Sequence, residues 1–191
     1  MDKGKYGYTR KYKRNLILSI IILGVAILTG VIISLVLYGT TKSLVIIIPI
    51  LICIPFAKQI VALIMCAGFK PLSDDEHQHI ADEITYSDTD DLLFDISISR
   101  YEGMIFFPAA VVRDGRMLFL YKGKFGKKIA DADALKKTIA DSFSKIKKPY
   151  VIMVATDDED FIKKANSIKA PDVDYLQMDK SMREKLFELG V

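Results

Sequence analysis

The sequence predicts a transmembrane helical hairpin followed by a small cytoplasmic α/β domain with a mixed sheet, in the order α-β-β-β-α-β-α-β-α. Three observations carry that expectation. No acidic residue lies between Asp2 and Asp74, and the interval holds two long apolar runs, 16–37 and 44–69. Basic residues crowd the stretch before the first run. Beyond residue 70, short alternating segments exchange places with segments of helical spacing.

A helix crosses the hydrocarbon core with about 20 apolar residues, and both runs meet that length. Only residues 38–43 separate them, so spans at about 16–37 and 44–66 form a tight hairpin within a 16–69 segment. Lys3, Lys5, Arg10, Lys11, Lys13 and Arg14 precede the first span, Lys42 alone lies in the connection, and Lys70 follows the second. Cytoplasmic flanks carry the Lys/Arg excess. The basic N-terminus, residues 1–15, and the C-terminal domain, residues 71–191, are therefore both expected in the cytoplasm of a multi-pass protein of the plasma membrane. A cleaved signal peptide is the competing reading. Its apolar core is about 7–15 residues and ends in a small-residue site, whereas this run is longer and a second follows closely.

The net charge of +3 conceals two opposite halves. Residues 1–70 hold nine Lys/Arg and one Asp, a balance of +8; residues 71–191 hold 18 Lys/Arg and 23 Asp/Glu, a balance of −5. The basic start, interleaved with Tyr6, Tyr8 and Tyr12, suits anionic lipid headgroups at about 1 kcal/mol per nearby cation. The acidic part repels nucleic acid at long range, so no nucleic-acid partner is expected.

Within the first span, Ala26, Gly30 and Ser34 recur at i, i+4 and i+8, a small-residue row that lets another helix approach closely. The second span or a second copy of the chain could fill it. Pro49 and Pro55 each remove a backbone donor from the second span and favour kinks. Lys58 lies about 21 Å along that helix, past the midplane, where its side chain can reach the interface. Cys53 and Cys66, about 19 Å apart along one helix, cannot bridge. The soluble part has no Cys, which excludes zinc-finger sites.

In the soluble part, Ser73 and Glu76 form a capping box for a helix at 74–84 that turns Ile80 and Ile84 inward. Residues 92–100 alternate, with Phe94, Ile96 and Ile98 on one face and Asp95, Ser97 and Ser99 on the other. Strands at 104–113 and 116–122 flank Asp114-Gly115, a type I′ hairpin signal, and Pro108 implies a bulge or a sheet edge. A helix at 133–147 aligns Leu135, Ile139, Phe143 and Ile146. The apolar strand 150–155 suits a central position. Thr156 and Glu159 read as a second capping box before a helix carrying Phe161, Ile162, Ala165 and Ile168. A strand at 173–178, parallel to 150–155, and a helix at 180–189 complete the expected order.

The helix-β-β-β-helix-β order over residues 73–155 resembles the core of restriction-endonuclease-like folds. That family holds Mg²⁺ through an acidic residue and a D/E-x-K pair on adjacent strands. Here the third strand offers Leu120-Tyr121-Lys122: the Lys matches, the acid is missing, and neither Asp95 nor Glu102 stands in its place. The resemblance implies a catalytically inactive version.

Other chemistry rests on weaker patterns. Asp75, His79 and Glu83 share one helix face at i, i+4, i+8 and are the metal-ligand candidates, although zinc sites usually draw on more than one element. Lys124, Lys127 and Lys128 lie in a basic glycine-containing loop ahead of a helix, where phosphate can bind, but the run departs from the G-x-x-x-x-G-K-[ST] pattern. Asp157 and Asp158 follow a strand, a frequent place for ligand groups and an equally good helix start. No Ser-His-Asp or Cys-His set can be assembled, so catalytic residues stay unknown and no cofactor is expected. The expectation is a membrane-anchored binding or regulatory module with a protein partner or a second copy of itself; the rival is a membrane-bound enzyme using carboxylates.

Overall fold

The computed structural model describes residues 3–38, 46–84, 91–100, 103–123, 131–143, 150–169 and 173–190. The chain divides into two compact units, Thr9–Phe69 on one side and Met1–Tyr8 with Lys70–Val191 on the other.

The first unit is built from α1 (Tyr8–Tyr38) and α2 (Ile47–Ala67), both long and apolar enough to cross a membrane. Helix α1 starts well ahead of its apolar run, because neither Pro nor Gly interrupts the chain between Gly7 and Gly24. Pro49 falls in the first turn of α2, where an N–H has no intrahelical partner to lose. Pro55 alone stands inside that helix, so only one of the two expected kink sites exists. Large apolar side chains such as Leu18, Ile22, Leu28, Ile48, Ile54 and Ile64 face outward. The two helices touch at Gly30, where a Cβ would lie 2.6 Å from Pro49 Cγ.

The second unit is an α/β sandwich. Helix α3 (Asp74–Glu83) opens on its capping box: Glu76 N–H donates to Ser73 Oγ (3.2 Å), and Ser73 N–H donates to Glu76 Oε2 (2.8 Å). Strands β1 (Leu92–Arg100), β2 (Gly103–Arg113) and β3 (Arg116–Leu120) form an antiparallel meander. The β2–β3 turn places Asp114 at φ +52 and Gly115 at φ +67, the signature of type I′. Helix α4 (Ala132–Ser142), capped by Asp131 accepting from Ala134 N–H, carries the chain to β4 (Val151–Ala155), which lies parallel to β3. Helices α5 (Asp158–Ser167) and α6 (Val173–Leu189) follow. The sheet is mixed, with strand order β1-β2-β3-β4. One of its faces packs on α4 and α6, the other on α3 and α5.

Several expectations are corrected. Residues 173–178 are the first turns of α6, not a strand, because burial follows Met178, Met182 and Leu186 at helical spacing. The observed order is therefore α-β-β-β-α-β-α-α after the two long helices, and the parallel pair is β3–β4, connected through α4. Strand β4 lies at a sheet edge rather than the centre, and β2, which holds Pro108, is interior. The expected Thr156–Glu159 capping box is absent: Asp157 is the N-cap of α5 and makes no side-chain cap bond. Helix α4 ends at Ser142, short of the expected 147. Finally, Phe94 packs on the α3/α5 face while Ile96 and Ile98 pack on the α4/α6 face, so the three do not share a side.

Candidate functional site

Ligand groups in α/β proteins gather beyond the carboxyl ends of parallel strands. Here β3 and β4 end at Leu120 and Ala155, and the first charged group beyond β3 is Lys122. Its Nζ donates to Glu76 Oε1 (2.7 Å) at the start of α3 and to Asp158 Oδ2 (2.8 Å) at the start of α5. The Lys122 hydrogen bond, followed by the Ser73 N–H, drops the Glu76 pKa to about 2. Burial pulls the Lys122 pKa down, yet the bonds to Asp158 and Glu76 outweigh it and hold the ammonium above its ordinary value. Glu76 and Lys122 therefore both stay ionised near neutral pH. A proton-transfer catalyst needs a pKa near the working pH, so the arrangement ties three elements together electrostatically and is poorly set for acid–base chemistry. Leu120, in the acid position of the D/E-x-K pattern, is fully buried in the core beneath α3 and α5.

A second polar cluster is more deeply buried. Arg113, at 0% exposure, donates from Nε to Asp91 Oδ2 (3.0 Å), and Arg183 Nη1 donates to Asp91 Oδ1 (2.5 Å). Beside it, Asp179 accepts from Asp114 N–H (2.8 Å) and Gly115 N–H (2.9 Å), closing the hairpin turn onto α6. Burial pushes the Asp179 carboxyl up, against the two backbone bonds. Sequence reasoning missed all four residues. The available signal was Arg113, a cation inside an otherwise apolar strand next to a turn.

A third group involves the amino terminus. Lys3 Nζ donates to Phe187 O (3.0 Å) and Gly190 O (3.1 Å), and Gly4 O accepts from Phe94 N–H (2.8 Å). Tyr6 stacks on His77 with ring centroids 3.8 Å apart. Its hydroxyl reaches Leu72 O at 3.1 Å and also meets the Asp74 carboxylate.

The other sequence candidates fall as follows. Asp75, His79 and Glu83 lie on the exposed face of α3, and no group of three metal-binding side chains occurs among the described residues. Lys124, Lys127 and Lys128 lie outside the described residues, as do Lys42 and Glu102. Asp157 is exposed, while Asp158 is engaged by Lys122 and Asp160 by Lys164 at 2.7 Å. Ser34 is fully buried, and Ala26 and Gly30 are half-buried, on α1. Lys58 is exposed on α2. No family model, curated protein or solved structure matches the chain.

Proposed function

We propose that α1 and α2 cross the bilayer as a hairpin and hold the α/β unit on the cytoplasmic side, where it binds a protein partner or regulates an assembly. The observation that carries this is the membership of the α/β unit. Residues 3–6 hydrogen-bond to residues 72, 94, 187 and 190 of that unit. The segment before α1 and the segment after α2 thus belong to one compact unit, which suits an even number of crossings. The basic stretch ahead of the apolar run of α1 supports the cytoplasmic side, and the outward apolar faces of α1 and α2 support burial in lipid.

Purification of the full chain in mild detergent, followed by native mass spectrometry, tests the binding role. A stoichiometric protein partner, or a defined homo-oligomer, is the expected result. A bound nucleotide, metal ion or metabolite instead favours the enzyme reading. For that reading the supporting observation is the position of Lys122, Glu76 and Asp158 beyond the parallel strands. An inactive restriction-endonuclease-like module fits the observed α3-β1-β2-β3-α4-β4 order and the leucine at position 120.

A further inference from the structure

The amino terminus, the outer edge of β1 and the last turn of α6 meet around a small recess lined by Lys3, Gly4, Asp95, Ser97, Phe187 and Gly190. Each contact made by the segment there depends on a particular residue type. Phe187 O and Gly190 O belong to the end of α6, where carbonyls lack intrahelical donors and the helix dipole favours a cation. The Lys3 ammonium meets both. Gly4 holds φ +86, and a Cβ there would lie 2.7 Å from the Phe187 ring and 3.3 Å from Leu93. Its carbonyl takes up the Phe94 N–H, which points away from β2 on an edge strand. Tyr6 then lays its ring on His77, itself 4.6 Å from the Phe94 ring.

We propose that the α/β unit carries a peptide-binding site for the pattern Lys3-Gly4-x-Tyr6, filled in cis by the chain's own amino terminus, and that this strap closes the recess over Asp95 and Ser97. The ligand is an ammonium side chain, a glycine in the left-handed region and an aromatic ring in sequence. Each is met by its own receptor: a helix end, a slot too narrow for a Cβ, and an aromatic shelf. Release of the strap frees the Phe94 N–H on the sheet edge and removes the charged donor from the end of α6. It also uncovers Asp95 and Ser97, now 5% and 6% exposed.

Hydrogen exchange on the full chain in mild detergent tests the site through the Phe94 amide. In Lys3→Met and in Gly4→Val the exchange of that amide is expected to quicken about tenfold or more, the scale of losing one ordered contact. Lys11→Met, which alters an exposed cation of the same basic stretch, leaves it unchanged. A chain lacking residues 2–6 regains Phe94 protection when a synthetic peptide of residues 1–8 is added, and fails to regain it with the Gly4→Val peptide. Equal Phe94 protection in Lys3→Met, Gly4→Val and the parent chain overturns the proposal. So does equal rescue by both peptides. If the shortened chain does not fold, the two point variants decide the matter alone.

Discussion

Asp95 stands opposite Pro108, and at this pair β1 and β2 turn over together. Flanking pairs Phe94↔Ala109 and Ile96↔Phe107 keep one register, so no extra residue is inserted. Yet Leu93 and Phe94 lie on opposite faces as expected, while Phe94 and Ile96 do so as well; Phe107 and Ala109 show the same exchange on β2. Pro108 has no N–H to give the ladder, and Asp95 takes φ +55, a region that Asp and Asn tolerate better than other side chains. Two strands that switch faces in step can pack both cores without slipping against each other.

That geometry makes Asp95 sensitive to the type of its replacement. Asp95→Val puts a β-branched side chain in the left-handed region and is expected to cost about 2 kcal/mol, whereas Asp95→Asn stays close to the parent. Denaturant unfolding of the full chain in mild detergent measures both. Equal stability of the valine variant and the parent would show that the position relaxes to an ordinary strand.

Local signals made much of the α/β unit legible. Ser73 with Glu76, and Asp114 with Gly115, encode their cap and turn within four residues, and both form. The segment 173–178 is too short to separate a period of 2 from one of 3.6, and Pro171 just ahead of it suits the start of a strand as well as that of a helix. Strand order is not a local property either: the apolar composition of β4 suits a central strand, yet β4 lies at the edge. The buried cluster was illegible for the same reason: Asp91 meets Arg113 across 22 residues and Arg183 across 92. The attachment of Lys3 to Phe187 spans 184 residues, and a basic start next to an apolar run reads first as a lipid-facing flank.

The Asp91 carboxylate should carry a large share of the stability of the α6 face. Asp91→Leu leaves Arg113 buried without its carboxylate and is expected to cost about 3–5 kcal/mol. The double change Asp91→Leu with Arg113→Met removes that stranded charge and recovers part of the loss, read as a coupling energy in a double-mutant cycle. A double variant as unstable as Asp91→Leu alone would place the cost elsewhere than in the ion pair.

Acid should loosen the junction of α3, β3 and α5. Glu76 is held at about 2 in the folded state, below its ordinary 4.5. A depressed acid contributes stability above its unfolded pKa and loses it as pH falls through the folded value. Stability is thus expected to decline between about pH 5 and pH 2, and Glu76→Gln should flatten that decline. Asp179 works in the opposite sense, since its raised pKa disfavours the folded state once the carboxylate ionises, so Asp179→Asn steepens the acid loss. A pH profile indifferent to Glu76→Gln would show that Lys122 relies on Asp158 alone.

Packing between α1 and α2 hinges on the absence of a side chain at residue 30. Gly30→Leu forces bulk against Pro49 and is expected to lower the thermal stability of the detergent-solubilised chain. Leu28, 64% exposed on the outer face, should tolerate Ala with little change. Matching stabilities for Gly30→Leu and Leu28→Ala would mean that the helix pair is not held at this contact.

A hairpin puts the amino terminus and the α/β unit in one compartment, and cysteine accessibility reads this directly. With Cys53 and Cys66 replaced, single cysteines are placed at Tyr12, Thr41 and Lys137 and exposed to an impermeant thiol reagent in intact cells. Labelling is expected at residue 41 only, with residues 12 and 137 reacting once the membrane is permeabilised. Labelling of residue 137 from outside, or opposite behaviour of residues 12 and 137, would contradict it.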